Sequence, residues 1–188
     1  MASNIIPRTY AKVVSLAEDA ADGATTLGTA VGLAQNTAVK IRADLVALTG
    51  NATATPPTVG AQNLYDTAKA AKTAAAAAER AAEKAARTLV AGAVDVLKHY
   101  LGRQWSGAWA AAGFTEGSLA VPDDPLPVLG KLRAYFAGHA TQENAGLGVT
   151  AATLTAQATA LSDARSANNN AATALKTAKD NRDAAQAA

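Results

Sequence analysis

Histidine binds metals and transfers protons near neutral pH, and the chain has two, His99 and His139. Asp95 lies four residues before His99, so the two side chains share a face if this stretch is helical. A metal site needs further ligands, and neither Glu-x-x-His nor His-x-x-x-His occurs in the sequence. We interpret Asp95 and His99 as a surface pair, and His139 as a side chain that interacts with the end of a helix.

Aromatic residues concentrate between residues 103 and 148, where both tryptophans and both phenylalanines occur. They could form a ligand pocket, a platform on which nucleic-acid bases stack, or part of the core. A stacking platform needs a basic groove, and only Arg103, Lys131 and Arg133 are close in sequence. We therefore predict a packed hydrophobic plug. Its members are Trp105, Trp109, Phe114, Tyr135 and Phe136.

Other catalytic patterns are missing from the sequence. No Ser/His/Asp set has a recognisable context, no glycine-rich phosphate loop follows a predicted strand, and no cysteine is present. We interpret Asp123-Asp124 as a turn followed by a helix cap. The sequence thus predicts no catalytic, cofactor-binding or metal-ligating residue, no cofactor, and a protein that is not an enzyme.

The charge and hydropathy of the chain bear on its partners. A net charge of +2 is too small to indicate a nucleic-acid partner. No apolar stretch reaches the ~20 residues of a membrane span, and helix faces made of alanine methyl groups are poor lipid anchors. Residues 1–7 lack the layout of a secretory signal. We expect a cytoplasmic protein that binds neither nucleic acid nor membrane.

Alanine supplies more than a quarter of the 188 residues, which favours long helices. It is the strongest helix former, but a buried methyl contributes only ~0.8 kcal/mol, against about 1.5–3 kcal/mol for leucine. A core of this kind needs many weak contacts along extended elements. We predict one all-α domain over residues 1–188, an extended up-down bundle of three long helices with two short helices that form the aromatic plug.

The first half of the sequence predicts a long antiparallel helical hairpin over residues 1–102. Its first arm spans about 8–49, starts after Pro7 and stops at Gly50; Gly23, Gly28 and Gly32 are positions for a kink or a close helix contact. Small and apolar residues follow each other at steps of three and four. They are Val13, Leu16, Ala20, Gly23, Leu27, Val31, Ala34, Ala38, Ile41, Leu45 and Leu48.

Residues 51–58 are short enough to place the next helix antiparallel beside the first. This linker contains a glycosylation-type triplet, Asn51-Ala52-Thr53, which we interpret as an ordinary loop. The second arm is predicted over 59–101, ending at Gly102. Its predicted inward seam is Leu64, Ala68, Ala71, Ala75, Ala78, Ala82, Ala85 and Leu89. Its predicted solvent face is Asp66, Lys69, Lys72, Glu79, Arg80, Glu83, Lys84 and Arg87.

The second half consists of an aromatic-rich connector over 103–148 and a third long helix over 149–188. Ser106 and Asp124-Pro125 predict short helices near 106–112 and 125–138. The third helix is expected to begin at Thr150, and the sequence ends inside it without a stop signal. Its regular positions are Leu154, Ala160, Leu161, Ala164, Ala167, Ala171, Ala174, Leu175 and Ala178.

Four stretches of the sequence carry a resemblance to a known group. They are Ile6-Pro7-Arg8-Thr9, the segment from Gly102 to Phe114 (GRQWSGAWAAAGF), Leu119-Ala120-Val121-Pro122, and Leu132-Arg133-Ala134-Tyr135-Phe136 leading into Gly148-Val149-Thr150-Ala151-Ala152. They resemble uncharacterised alanine-rich bacterial helical-bundle proteins. The resemblance implies a repeated helical-hairpin module, sometimes followed by a small β-sandwich domain, with no assigned activity. This chain departs from the pattern because it ends after the third long helix, where such proteins turn back through a fourth.

These observations favour a non-catalytic structural or protein-interaction module. The alternative is a ligand-binding or enzymatic bundle with its site at the aromatic plug. Leu154, Leu161 and Leu175 give the last helix a wide apolar surface, and Asn168 lies in the same stripe. We therefore expect a homodimer through helix 150–188, or binding to another protein. Asn168 either fixes the register of such a dimer or lies at the solvent-exposed edge of the stripe.

Overall fold

The computed structural model describes residues 9–27, 37–115 and 117–187. Of these residues, 79% are helical and only four form strands, which confirms the all-α prediction. The chain divides into two compact units, one made of Met1–Ala71 with Ala172–Ala188 and the other of Lys72–Ala171. We refer to them as unit 1 and unit 2.

Unit 1 begins with two helices, α1 (Tyr10–Leu27) and α2 (Ala38–Thr49). They lie side by side, since Arg42 Nη2 of α2 is 2.9 Å from Asp22 Oδ1 of α1. The prediction of one helix over 8–49 is therefore wrong. Thr37 starts a new helix because its backbone is extended and its side chain accepts a hydrogen bond from Lys40 N at 3.3 Å. Pro7, Gly28, Val31, Gly32 and Ala34 lie outside the described residues.

A very short hairpin follows α2, with β1 (Gly50–Asn51) antiparallel to β2 (Thr58–Val59). Gly50 ends α2 as predicted, with a φ of +82°. The expectation of no strands is wrong here because glycine lets the backbones approach closely. A Cβ at Gly50 would lie 2.5 Å from Gly60 N. Asn51 Oδ1 accepts hydrogen bonds from Thr53 N and Oγ1, a local turn that fits the loop interpretation of this triplet.

The longest helix, α3, spans Ala61–Leu101 and ends at Gly102, whose φ is +93°. The last long helix, α5, spans Ala151–Ala187, and both helices contribute to both units. Within unit 2 they run antiparallel. Gln157 Nε2 of α5 donates to Ala82 O at 2.9 Å, and Asn168, farther along α5, bonds to Glu79, which is earlier on α3.

The inward face of α3 differs in register from the predicted seam. Leu64, Ala71, Ala78 and Ala85 are exposed, whereas Ala68, Ala75, Ala82 and Leu89 are partly buried as predicted. Four side chains that were predicted to face solvent are partly buried instead. They are Lys72, Glu79, Glu83 and Arg87. The reason is that alanines lie on every side of this helix, so they do not distinguish one face from the next.

The two short helices predicted in the connector are present. A 3-10 helix spans Gly107–Ala112, and α4 spans Leu126–Gly138. The N-cap of α4 is Pro125, one residue after the predicted cap at Asp124; Asp124 Oδ1 still accepts a hydrogen bond from Leu126 N at 3.2 Å. Gly113 ends the 3-10 helix with φ +99°, and a Cβ there would lie 2.6 Å from Lys131 Cβ. Two further 3-10 turns, Ala140–Gln142 and Ala145–Leu147, lead to α5.

The start of α5 is fixed by reciprocal hydrogen bonds. Thr153 Oγ1 accepts from Thr150 N at 3.0 Å and Thr150 Oγ1 accepts from Thr153 N at 3.1 Å, so the predicted start at Thr150 is confirmed. The two leucines nearest this end, Leu154 and Leu161, are fully buried in the core of unit 2. Of the predicted alanines, Ala164, Ala171 and Ala178 are partly buried, whereas Ala160, Ala167 and Ala174 are exposed.

The core of unit 2 collects the large side chains of α3, the connector and α5. Its fully buried members are Ala86, Val90, Ala93, Leu97, Trp109, Ala112, Leu129, Leu132, Phe136, Leu154 and Leu161. Across the described ranges, no helix is both long enough and apolar enough to cross a membrane.

Candidate functional site

The aromatic plug is packed into the core of unit 2, as predicted for four of its five members. Trp109 and Phe136 are fully buried, and Phe114 and Tyr135 nearly so. Trp109 meets Phe114 edge to face, with ring centroids 5.7 Å apart. Trp105 is the exception, because its ring is 38% exposed, while its Nε1 donates to Phe114 O at 2.7 Å. Buried rings of this kind offer no faces on which bases could stack.

A cleft of about 340 Å³ lies beside the plug, between the loop after Gly113 and the start of α4. A ligand site here would need polar groups that are free to converge on a ligand. Ser118 Oγ instead accepts from Ala120 N at 3.1 Å, and Asp124 Oδ1 accepts from both Leu126 N and Arg165 Nη2. The polar groups of the cleft therefore hold the loop and α4 in place.

The indole N–H of Trp109 is buried without a hydrogen-bond acceptor among the described protein atoms. Such an unpaired donor costs about 1–3 kcal/mol. The contribution of Trp109 to the plug therefore comes from its apolar area and its contact with Phe114. Nothing in the sequence signals this missing acceptor.

Asp95 and His99, which we interpreted as a surface pair, are both exposed, but each contacts another neighbour. Asp95 Oδ1 bonds to Lys98 Nζ at 2.8 Å, and the exposed ring of His99 contacts Tyr100 edge to face at 5.3 Å. A polar cleft combines these side chains with Arg103. Among the residues that the structure describes, no three His, Cys, Asp or Glu side chains converge as metal ligands would.

His139 lies at the carboxyl end of α4, as the sequence predicts. Its Nδ1 donates to Tyr135 O at 2.8 Å, and its ring stacks on that of Tyr135 with centroids 4.2 Å apart. The Tyr135 hydroxyl in turn donates to Gln142 Oε1 at 3.0 Å. These contacts anchor the chain as it leaves the helix.

A polar bridge joins α3 and α5 at the end of unit 2 that contains Lys72 and Ala171. Lys72 Nζ donates to Oδ1 of Asn168, and Nδ2 of Asn168 donates to Glu79 Oε2. All three side chains are partly buried. The sequence placed Asn168 on the apolar stripe but assigned Lys72 and Glu79 to solvent. Steps of four and three residues along α3, counted back from the buried Leu97 and Val90, lead to Glu79 and then to Lys72. This spacing places both polar residues on the buried face, but alanines at similar spacing on the other faces obscured the pattern.

A second interaction between α3 and α5 lies within unit 1. The Arg182 guanidinium lies 4.1 Å from the centroid of the Tyr65 ring and bonds to Asp183. The bond to Asp183 raises the pKa of Arg182, and bonds from Lys179 and Arg182 lower the pKa of Asp183. Burial and the nearby charge of Asp66 raise the pKa of Tyr10. All of these groups keep their usual charge near neutral pH, and the contact of Arg182 with Tyr65 joins α5 to α3.

Unit 1 exposes several large apolar side chains. On α1, the residues turned toward the core are Tyr10, Val13, Val14, Ala17 and Ala21, and only Ala21 is fully buried. A second apolar stripe runs beside them, through Leu16, Ala20, Gly23 and Leu27. Leu16 is 53% exposed and Leu27 is 57% exposed. The sequence predicted this second stripe as the buried seam.

The chain matches no protein-family model, no curated protein and no solved structure. The resemblance to alanine-rich bacterial helical-bundle proteins therefore stays a prediction.

Proposed function

We propose that the chain is a non-catalytic helical module that binds another protein through the exposed stripe of α1, defined by Leu16, Ala20, Gly23 and Leu27. The observation that carries this proposal is the exposure of the two leucines on one face of a single helix. They lie eleven residues apart, three turns of helix or about 16 Å. An apolar helix of a partner recognises a stripe of this length and spacing.

Burial energetics favour this assignment. Covering one leucine side chain stabilises a complex by about 1.5–3 kcal/mol. The small residues between the leucines, Ala20 and Gly23, allow a partner backbone to approach closely. The neighbouring helix α2 also exposes Val39 and Val46, which are seven residues apart and therefore lie on one face. Among the described residues of unit 1, the buried hydrophobic side chains are those of Ala21 and Leu48, whereas these leucines and valines remain exposed.

The dimer surface expected on helix 150–188 is less exposed than the sequence suggested. The leucines that suggested a dimer through helix 150–188 are largely covered, since Leu154 and Leu161 are fully buried and Leu175 is partly buried. The side of α5 that remains exposed is made mostly of alanine and polar residues. The stripe of α1 is therefore the better candidate for binding another protein.

The alternative, a ligand-binding or enzymatic bundle, would place a site at the aromatic plug. The close packing of Trp109 and Phe136 and the occupied polar groups of the adjacent cleft favour an interaction module over this alternative.

The test uses a variant that replaces both leucines, Leu16→Lys with Leu27→Lys, in a tagged chain produced in its native cells. A matched control, Ser15→Lys with Thr26→Lys, adds the same charge at exposed positions on another side of α1. After mild cross-linking and isolation, wild type and control should retain a protein bound in stoichiometric amount. The leucine variant should lose it while its melting temperature stays within a few degrees. Equal recovery with all three chains, or with none, would overturn the proposal.

A further inference from the structure

A groove in unit 2 points to a second interaction surface. It lies along α3, beside the 3-10 turn Ala145–Leu147, and a volume of about 700 Å³ is open within it. Its floor combines small side chains, Ala81, Ala85, Thr88 and Gly92, with the larger Leu89 and Val149. Leu147, which is 67% exposed, forms one wall.

The two ends of this groove carry opposite charges. Lys84 lies toward one end and Asp95 toward the other, and both are exposed. They are eleven residues apart on the same helix, which is about 16 Å along its axis. Among the described residues, no carboxylate lies within ion-pair distance of the Lys84 ammonium, whereas Asp95 pairs only with its own neighbour Lys98. Lys84 and Asp95 therefore place one positive and one negative side chain on the same face of α3, with Asp95 bonded to Lys98 within the single chain.

This arrangement is complementary to itself. If two copies of α3 pack antiparallel about a two-fold axis midway between Lys84 and Asp95, each Lys84 meets the partner's Asp95. Both ion pairs then form at once, and a parallel arrangement would place like charges together. The small floor residues let the helix backbones approach, and Leu147 of each copy is removed from water.

We propose that this groove is the self-association surface of the chain and that its occupant is the same groove of a second copy. This surface adds self-association to the proposed interaction role and contains no residue of α1, so either proposal can be wrong while the other holds. The charge pattern selects the orientation, and the apolar floor and Leu147 supply most of the stabilisation.

Charge reversal provides the test. The single variants Lys84→Glu and Asp95→Lys each turn two attractions into two repulsions, and we expect the dimer dissociation constant to rise about 10- to 100-fold. When the two variants are mixed, a Lys84→Glu chain paired with an Asp95→Lys chain restores both attractions. Each variant alone should therefore be monomeric at micromolar concentration and low salt, near the 18.8 kDa of one chain, and the mixture should be dimeric.

Two controls make the result specific. Lys176→Glu changes the charge by the same amount at an exposed position of unit 1, and it should stay dimeric like wild type. Thr88→Arg places a long charged side chain on the groove floor; it should be monomeric, and mixing with either charge variant should not restore a dimer. Circular dichroism confirms that each variant is folded. A wild-type chain that is monomeric at every concentration, or charge variants that dimerise alone or fail to pair when mixed, would overturn the proposal.

Discussion

The side-chain amide of Asn168 on α5 donates a hydrogen bond to the carboxylate of Glu79 on α3, which is 89 residues earlier in the chain. The same side chain accepts a hydrogen bond from Lys72. This bridge fixes the register of α3 against α5 within unit 2. Polar residues at helix contacts have this role in coiled coils.

Replacing the bridging residue, Asn168→Ala, should lower the free energy of unfolding by about 1–2 kcal/mol, because two charge-assisted hydrogen bonds between partly buried groups are lost. Asn170→Ala, at an exposed position two residues away, is the matched control. It should be neutral or slightly stabilising, since alanine is the better helix former. Urea unfolding of both variants measures the difference, and equal stabilities would show that the bridge contributes nothing.

The two tryptophans should differ in their contribution to stability. Trp109→Ala removes a fully buried indole and should cost roughly 3–5 kcal/mol, the usual range for such truncations. Trp105→Ala removes a partly exposed ring with one hydrogen bond to Phe114 and should cost clearly less. Thermal unfolding followed by far-UV circular dichroism compares them. If Trp109→Ala melted within a degree or two of wild type, the plug would not be the core of unit 2.

The side-by-side arrangement of α1 and α2 can be measured directly. Because the chain has no cysteine, Asp22→Cys with Arg42→Cys allows two spin labels to be placed at these positions alone. The native ion pair is exposed, so its removal costs little. We expect a mean label separation below about 20 Å, whereas a single straight helix would hold these positions about 30 Å apart.

The ion pair between Arg165 and Asp124 should make stability depend on acid. The hydrogen bond from Arg165 lowers the pKa of Asp124, so the folded state holds this carboxylate ionised to lower pH than the unfolded chain does. Its contribution is present above the ordinary aspartate pKa and is lost as the pH falls through the lowered value. Asp124→Asn should therefore be less stable than wild type at pH 7, by at most about 1 kcal/mol for an exposed pair. At pH 2 the two should be equal.

A control separates this effect from general acid destabilisation. Asp163→Asn, at an exposed position on α5, should show the same offset from wild type at both pH values. If Asp124→Asn were as destabilised at pH 2 as at pH 7, the loss of stability would come from the hydrogen bond to Leu126 N rather than from the charge of the Asp124 carboxylate.

Large residues and caps allowed much of the fold to be predicted from the sequence. Trp109 and Phe136 identified the plug, Gly102 and Thr150 marked the ends of long helices, and Asp124 marked the start of α4. Each of these residues has a strong preference, either for burial or for the end of a helix, that the rest of the fold does not alter.

The sequence could not predict which face of an alanine-rich helix is buried against a neighbouring helix. Ala71 and Ala75 have identical side chains, yet only Ala75 is partly buried. The break between α1 and α2 was missed because spacing of three and four residues continued through the glycines. Leu16 and Leu27 were predicted to be buried because the row of apolar residues from Val13 to Leu48 was assigned to one long helix. That row belongs to two shorter helices, α1 and α2. No sequence pattern indicated the pairing of Arg182 with Tyr65.

The most direct test of the proposed interaction role is site-specific photocross-linking from α1 in native cells. A photoreactive residue is introduced at Leu27, on the exposed stripe, or at Thr26, the adjacent residue on a different side of the helix. The account predicts a discrete protein adduct from position 27 and little or none from position 26. Adducts of equal yield from both positions, or none from position 27, would contradict the claim that this stripe of α1 binds a protein.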